Sequence, residues 1–259
     1  MLKNYLIKFG TVKNKLILIS KSQIKLITSL SKKKYREQHG FFIAEGPKVI
    51  DEFIAEGLEL HFHFTTEIVA NETHVYHQVT SGELKKISKL TNPNTSLAVF
   101  KIPKKNAAIT KGVRVVLDGV QDPGNLGTII RLCDWFGVSQ LICSKDTVDC
   151  FNPKVVQATM GSLARVVISY VDIKSLLQET TLPIYGGVLE GVSLYSEKIE
   201  EDSYLVVGNE GNGISEEIIA ILTHKITIPQ YGASQKTESL NVATATAILL
   251  SEVMRTTGK

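Results

Sequence analysis

The sequence predicts an α/β protein, with a mostly parallel sheet covered by helices in its C-terminal part and a smaller α/β unit before it. Three observations lead there. From about residue 112 onward, short apolar runs alternate with helical patterns, the pattern of strands joined by crossover helices. Three loops that follow such runs are rich in Gly and polar residues, as at the ligand-binding edge of an open parallel sheet. The charge also changes sign along the chain: residues 1–106 carry 17 Lys and Arg against nine Asp and Glu, whereas the remainder carries 12 against 17.

That charge boundary falls on a stretch poor in large apolar residues, Lys101 to Ala108, with Pro103 in it. A linker is expected at 102–111. The reading is therefore a basic extension over 1–20, a small α/β domain over 21–103 and a larger domain over 112–259. Residues 1–36 hold ten basic side chains and no acidic one, and such a segment suits a phosphate backbone because each cation releases a condensed counterion. The alternative is a solvated basic face. No apolar run reaches the roughly 20 residues that cross a bilayer, and Leu16 to Ile19 is too short for a signal-peptide core. Three cysteines, Cys133, Cys143 and Cys150, show no metal-ligand spacing. They point to reduced thiols in a cytoplasmic protein that needs neither metal nor membrane.

In the first part, Ile24, Ile27 and Leu30 share the face of a helix over 22–38. Lys25, Lys32, Lys33, Lys34 and Arg36 then form an outward basic ridge, a candidate RNA contact. A strand at Phe41 to Ala44, a helix opened by Pro47 and running to Ala55, and a strand from Leu60 to Phe64 follow. A helix near 81–90 and a strand at Leu97 to Lys101 complete the unit. In the second part, strands are expected at Arg114 to Asp118, Gln140 to Cys143, Arg165 to Ser169, Ile184 to Leu189, Tyr204 to Gly208 and Lys225 to Ile228. Helices are expected at 125–136, 154–163, 215–223 and 241–255.

The chemistry is concentrated in the three loops. The first, Asp118 to Arg131, makes a tight Gly- and Pro-bearing turn and places Asn125 near the start of a helix. The second, Gly208 to Ser215, lets backbone N–H groups approach a ligand. Its spacing and late position differ from a dinucleotide fingerprint, and Glu210 would repel a diphosphate while tolerating a cationic sulfonium. The third, Ile228 to Asn241, leads into a helix narrowed by Ala243, Thr244, Ala245, Thr246 and Ala247.

In this order, Asn125-Leu-Gly-Thr-Ile-Ile-Arg131, Gly208-Asn-Glu-Gly-x-Gly and Ile228-Pro with Ser239-Leu-Asn-Val-Ala resemble the three motifs of the SpoU branch of the SPOUT RNA methyltransferases. The resemblance covers residues from about 112 to 256. The preceding stretch, with Lys32-Lys-Lys-Tyr-Arg and Phe41-Phe-Ile-Ala-Glu-Gly-Pro-Lys, looks like the ribosomal-protein-like substrate-binding domain that many such enzymes carry. The resemblance implies a deep C-terminal trefoil knot, a homodimer whose subunits both build each site, and S-adenosylmethionine as methyl donor. It places the cofactor at Leu189, Gly208, Asn209, Gly211, Ile228 and Leu240. It places Asn125, Arg131, Glu210, Ser239 and Asn241 around the reacting atoms. The loop from Ile228 to Ser239, which includes Lys236, is longer than is usual in the family.

A 2′-hydroxyl is a weak nucleophile at neutral pH, so the protein must align donor and acceptor and stabilise charge on the oxygen. A guanidinium titrates above about pH 12, so Arg131 is expected to hold a phosphate and steady the forming alkoxide rather than remove the proton. Three rival readings stand beside this one. A base-carbon methyltransferase would need a cysteine nucleophile, with Cys133 the nearest; a silent RNA-binding or assembly factor would use the basic domain alone; an oxidoreductase would bind NAD. The additional N-terminal domain favours ribosomal over transfer RNA, since folded RNA is read by shape and splayed bases.

Overall fold

A computed structural model describes residues 18–68, 74–104, 111–138, 140–232 and 238–257. Residues 1–17 of the basic extension, 105–110 of the linker and Lys236 lie outside them.

The chain opens with α1 (Lys21–Ser29), capped by reciprocal Ser20 and Gln23 hydrogen bonds, and α2 (Lys33–His39). The single helix expected over 22–38 is therefore two. Lys32 is extended, at φ −102° and ψ 132°, and the Leu30 carbonyl accepts from Arg36 Nη1 at 2.9 Å. The break turns Arg36 inward: it is 2% exposed and ion-paired to Asp149. Arg36 therefore does not belong to the outward basic ridge, whereas Lys32, Lys33 and Lys34 are exposed as expected.

Next come β1 (Phe41–Glu45), α3 (Pro47–Ala55), β2 (Leu60–Thr65), β3 (His77–Gln78), α4 (Ser81–Ile87) and β4 (Ser96–Lys101). They form a sheet of order β1-β4-β2-β3. Its long pairings are antiparallel, and the short edge strand β3, absent from the sequence reading, pairs parallel to β2.

The second part contains β5 (Arg114–Leu117), α5 (Pro123–Trp135), β6 (Gln140–Cys143), α6 (Pro153–Thr159), β7 (Ile168–Tyr170), α7 (Ile173–Glu179) and β8 (Ile184–Ser193). After these come β9 (Tyr204–Val207), α8 (Glu216–Ile219), β10 (His224–Thr227) and α9 (Val242–Thr257). The six strands pair parallel throughout, in the order β10-β8-β9-β5-β6-β7. The expected parallel α/β sheet is present. Several bounds differ. The helix expected over 154–163 stops at Thr159, because Met160 at φ 51° and Gly161 at φ 100° turn the chain. Gly161 packs against α3 so closely that a Cβ there would lie 2.8 Å from Glu52 Cβ. The strand expected at Arg165 begins at Ile168, and α7 was not foreseen although Asp172 caps it and Ile173 and Leu177 share its buried face.

One apolar core joins the two sheets. Phe42 and Phe100 of the first sheet and Phe53 of α3 share one cluster with Val115, Leu117 and Leu141 of the second sheet, Ile129 of α5 and Val155 of α6, and the Phe42 and Phe151 rings meet at 4.9 Å between centroids. Outside this core, Arg165 binds Glu52 of α3, Glu56 at its C-terminal cap and Asp134 of α5. No helix among the described residues is long and apolar enough to cross a membrane.

Candidate active site

Parallel pairing puts the carboxyl ends of β5, β6, β7, β8, β9 and β10 on one rim. The three sequence motifs leave from that rim. After β5, Gly119 turns at φ 75° and donates its N–H to Ser144 Oγ at 2.9 Å. Asp122 then caps α5 by accepting from Asn125 N at 2.8 Å. Pro123 supplies the first helical position, where a missing N–H costs nothing.

After β9, the Asn209 side chain holds its own loop. Its Oδ1 accepts from the N–H groups of Gly211 at 2.9 Å and Asn212 at 3.1 Å. Its Nδ2 donates to the Gly119 carbonyl at 2.7 Å, tying the second loop to the first. Backbone bonds between Asn209 and Gly213 close the turn. Gly208 beneath them has no room for a side chain, since a Cβ would lie 2.0 Å from the Gly213 carbonyl carbon. Asp118 accepts from Ser215 N at 2.7 Å, fastening the far end of the loop.

Glu210 is the hub. Its carboxylate accepts from Gln121 N at 3.3 Å, Asp122 N at 3.1 Å and Asn125 Nδ2 at 3.0 Å. Burial works against its ionisation, but the amide of Asn125 and the backbone N–H groups outweigh that and hold the carboxyl below its ordinary range. Asn125 Oδ1 in turn accepts from Asn241 Nδ2 at 2.9 Å. Asn241 Oδ1 caps α9 by accepting from Ala243 N and Thr244 N at 3.0 and 3.2 Å. A relay of Glu210, Asn125 and Asn241 thus couples all three loops across 116 residues of sequence.

Of the expected cofactor positions, Gly208, Asn209 and Gly211 lie in the same loop as Glu210, and Leu240 directly precedes Asn241. Gly208 is buried at the end of β9, Ile228 is half-buried after β10, and β8 runs between these two strands. Thr227 Oγ1 donates to the Leu189 carbonyl at 3.0 Å, joining β10 to β8. Leu189 and Leu240 are 73% and 47% exposed, so their apolar surface is uncovered. Ser239 is exposed in the third loop.

Arg131 stands apart. Six residues beyond Asn125, it lies about 9 Å further along α5 at the usual helical rise. It is exposed and makes no ion pair among the described residues. Trp135, one turn on, is 84% exposed. Cys133, by contrast, is fully buried; burial, followed by the neighbouring Asp134 charge, pushes its thiol up and makes it a poor nucleophile. Sequence reasoning did not single out Asp118, Gln121, Asp122 or Ser144. An Asp before Pro-Gly at a helix start was a readable capping signal for Asp122; the others act through loop contacts that no local pattern encodes. Among the described residues no cluster of His, Cys, Asp and Glu could hold a metal ion.

Fold and site together define a class: an α/β protein with three loops tied together at the strand-end rim of a parallel sheet by amide and carboxylate side chains. Comparison with known proteins gives the family. The SpoU rRNA Methylase family profile matches residues 112–251, and that of the MRM3-like substrate binding domain matches residues 21–98. The 23S rRNA (guanosine(2553)-2′-O)-methyltransferase RlmP of Bacillus subtilis is 31% identical over 233 residues, 85% of this chain and 91% of that protein. A TrmH-family protein of Porphyromonas gingivalis superposes with a TM-score of 0.83 at 38% identity, covering 92% of this chain and 99% of that one. The AdoMet-bound rRNA methyltransferase from Sinorhizobium meliloti has a TM-score of 0.80 at 27% identity, covering 93% and 97%. The chain belongs to the SpoU rRNA methylase family.

Proposed function

We propose that the protein transfers a methyl group from S-adenosylmethionine to a ribose 2′-hydroxyl of RNA, with ribosomal RNA as the substrate class. The observation that carries this reading is the Glu210–Asn125–Asn241 relay on the strand-end rim, beside uncovered apolar surface at Leu189 and Leu240. The relatives named above that act on 23S rRNA or bind AdoMet support the substrate and the cofactor. Transfer RNA is the alternative substrate.

The residues present suit the cofactor: Gly208 and Ile228 bring backbone to the strand ends, the Asn209 and Gly211 turn is held in shape by its own hydrogen bonds, and Leu189 and Leu240 offer apolar cover. When bound, its sulfonium supplies an electrophilic methyl group. The protein's part is alignment and electrostatics. Asn125 and Asn241 hold the first and third loops in register, and Glu210 spends its hydrogen bonds on that tether. Ser239, exposed beside them, donates to the target nucleotide. Arg131 holds the adjacent phosphate and steadies the charge that develops on the 2′-oxygen as its proton leaves.

Because Arg131 lies down α5 from the relay and shares an exposed face with Trp135, it serves the site of a second subunit in a homodimer. Residues 21–103 form the ribosomal-protein-like RNA-binding domain, with Lys32, Lys33 and Lys34 on phosphates, and 112–259 form the catalytic domain. A trefoil knot at the C-terminus accords with the capping of α9 against the first motif and with its packing on α5. A cytoplasmic location follows from an rRNA substrate and three reduced cysteines.

The test is transfer of labelled methyl from S-adenosylmethionine to separated unmodified ribosomal and transfer RNA, followed by digestion to nucleosides. Label in 2′-O-methylnucleosides, lost in Arg131→Ala while cofactor binding persists, is the expected result. Label on a base would overturn the ribose assignment. Cofactor binding without transfer to any RNA would favour a silent assembly factor.

A further inference from the structure

Arg36 sits among exposed lysines yet has a side chain only 3% exposed. Its Nε and Nη2 both donate to Asp149 Oδ2, the former at 3.0 Å, and its Nη1 donates to the Leu30 carbonyl. Asp149 belongs to the loop between β6 and α6, on the other side of the domain boundary. That loop touches the site directly. Val148 N donates to the Val120 carbonyl at 2.9 Å, and Ser144 Oγ accepts from Gly119 N. Val120 immediately precedes Gln121 and Asp122, whose N–H groups go to Glu210.

A second contact lies at the same place. Lys33 Nζ is 6.0 Å from the centroid of the Tyr170 ring at the end of β7, and the Tyr170 hydroxyl donates to the Val148 carbonyl at 2.7 Å. β7 is two strands from β5, which at about 4.8 Å per strand is a lateral distance of roughly 10 Å. The basic helix α2 is thus seated on the same rim as the reaction centre, and a short path of packed loops joins the two.

We propose that the Arg36–Asp149 pair is a positioning device for RNA. It fixes the register between the lysine ridge of α2 and the loop that leads through Val120 into α5 and Asn125, so that a phosphate backbone held by Lys32 and Lys34 meets the rim at a set distance. This rests on the RNA-methylation reading above. Phosphate contacts fix register and orientation without reading sequence, so their value depends on how rigidly they are mounted. The planar guanidinium fork suits that role better than a flexible ammonium. It also neutralises Asp149, which would otherwise repel the polyanion near its path.

The experiment is a double-mutant cycle on methyl transfer to 23S rRNA. The first arm replaces Lys32 and Lys34 by Ala. The second replaces the ion pair by Arg36→Met with Asp149→Asn, a neutral combination that leaves no buried charge unpaired. Asp149→Asn alone is run beside it, with cofactor affinity and thermal denaturation measured on every variant. Loss of the pair is expected to lower kcat/KM on rRNA by about tenfold to a hundredfold, mostly through KM, with cofactor affinity unchanged. In that background the lysine substitutions should have little further effect. Additive losses, or a fall in kcat that follows thermal stability, would overturn the positioning role and leave the activity reading intact. Wild-type protein that methylates no RNA would instead sink both.

Discussion

Replacing Asn125 by Asp keeps the side-chain shape and inverts one hydrogen bond. The Nδ2 that donates to Glu210 at 3.0 Å becomes a carboxylate oxygen facing a carboxylate. At that separation two unit charges repel by about 1.4 kcal/mol at a dielectric of 80 and by about 5.5 kcal/mol at 20. Asn125 is half-buried and Glu210 exposed, so the repulsion lies between these limits. The lost charge-assisted hydrogen bond adds about 1.5 kcal/mol. The sum, about 3–7 kcal/mol, is the ceiling on the loss of loop closure, and at 1.4 kcal/mol per decade its lower end already corresponds to about a hundredfold in cofactor affinity. The penalty needs both groups charged. Two carboxyls sharing one site retain a proton to higher pH than either would alone, so the defect should shrink as pH falls from 8 toward 5. Calorimetric titration of Asn125→Asp with S-adenosylmethionine across that range measures it. Wild-type affinity at pH 8, or a loss equally large at both ends, would refute the relay as the element that holds the loops together.

Gly208→Ala should abolish cofactor binding, because its Cβ would fall 2.0 Å from backbone; retained affinity would mean that the loop yields freely. Cys133→Ala should leave turnover at the wild-type level, and the native thiol should resist alkylation, since the residue is fully buried; lost activity with a normal fold would reopen a covalent mechanism. In the first sheet, burial, and then the charges of His74 and His77, lower His63 from 6.5 to about 4. The unfolded chain therefore takes up that proton before the folded one does. Stability present above pH 6.5 is lost as pH falls from 6.5 toward 4, by at most about 3 kcal/mol. Denaturation midpoints over that window should vary less in His63→Gln, and an unchanged slope would assign the acid sensitivity elsewhere.

The parallel sheet was readable because its strands are buried on both faces, so that Val115 to Leu117, Leu141 to Cys143 and Leu205 to Val207 are continuous apolar runs. The three loops were readable through glycine and through their likeness to a family. The break between α1 and α2 was not, because no Gly or Pro marks it. Its cause is a guanidinium whose partner lies 113 residues away. The relay was hidden for the same reason: Asn125 and Asn241 were each visible as polar residues at helix starts, but nothing local says that they bind one another. The helix α7 was the opposite case, since its Asp172 cap and its Ile173/Leu177 spacing were present in the sequence and unread.

The change in charge and composition near residue 106 divides the chain on paper, yet Phe42, Phe53 and Phe100 belong to the same core as β5 and α5. The described residues on the two sides of that boundary therefore share their packing, and a change in volume on one side is felt on the other. A chimera made by exchanging the first hundred residues with a relative's would fail by mismatch of that shared core before its choice of RNA could be tested.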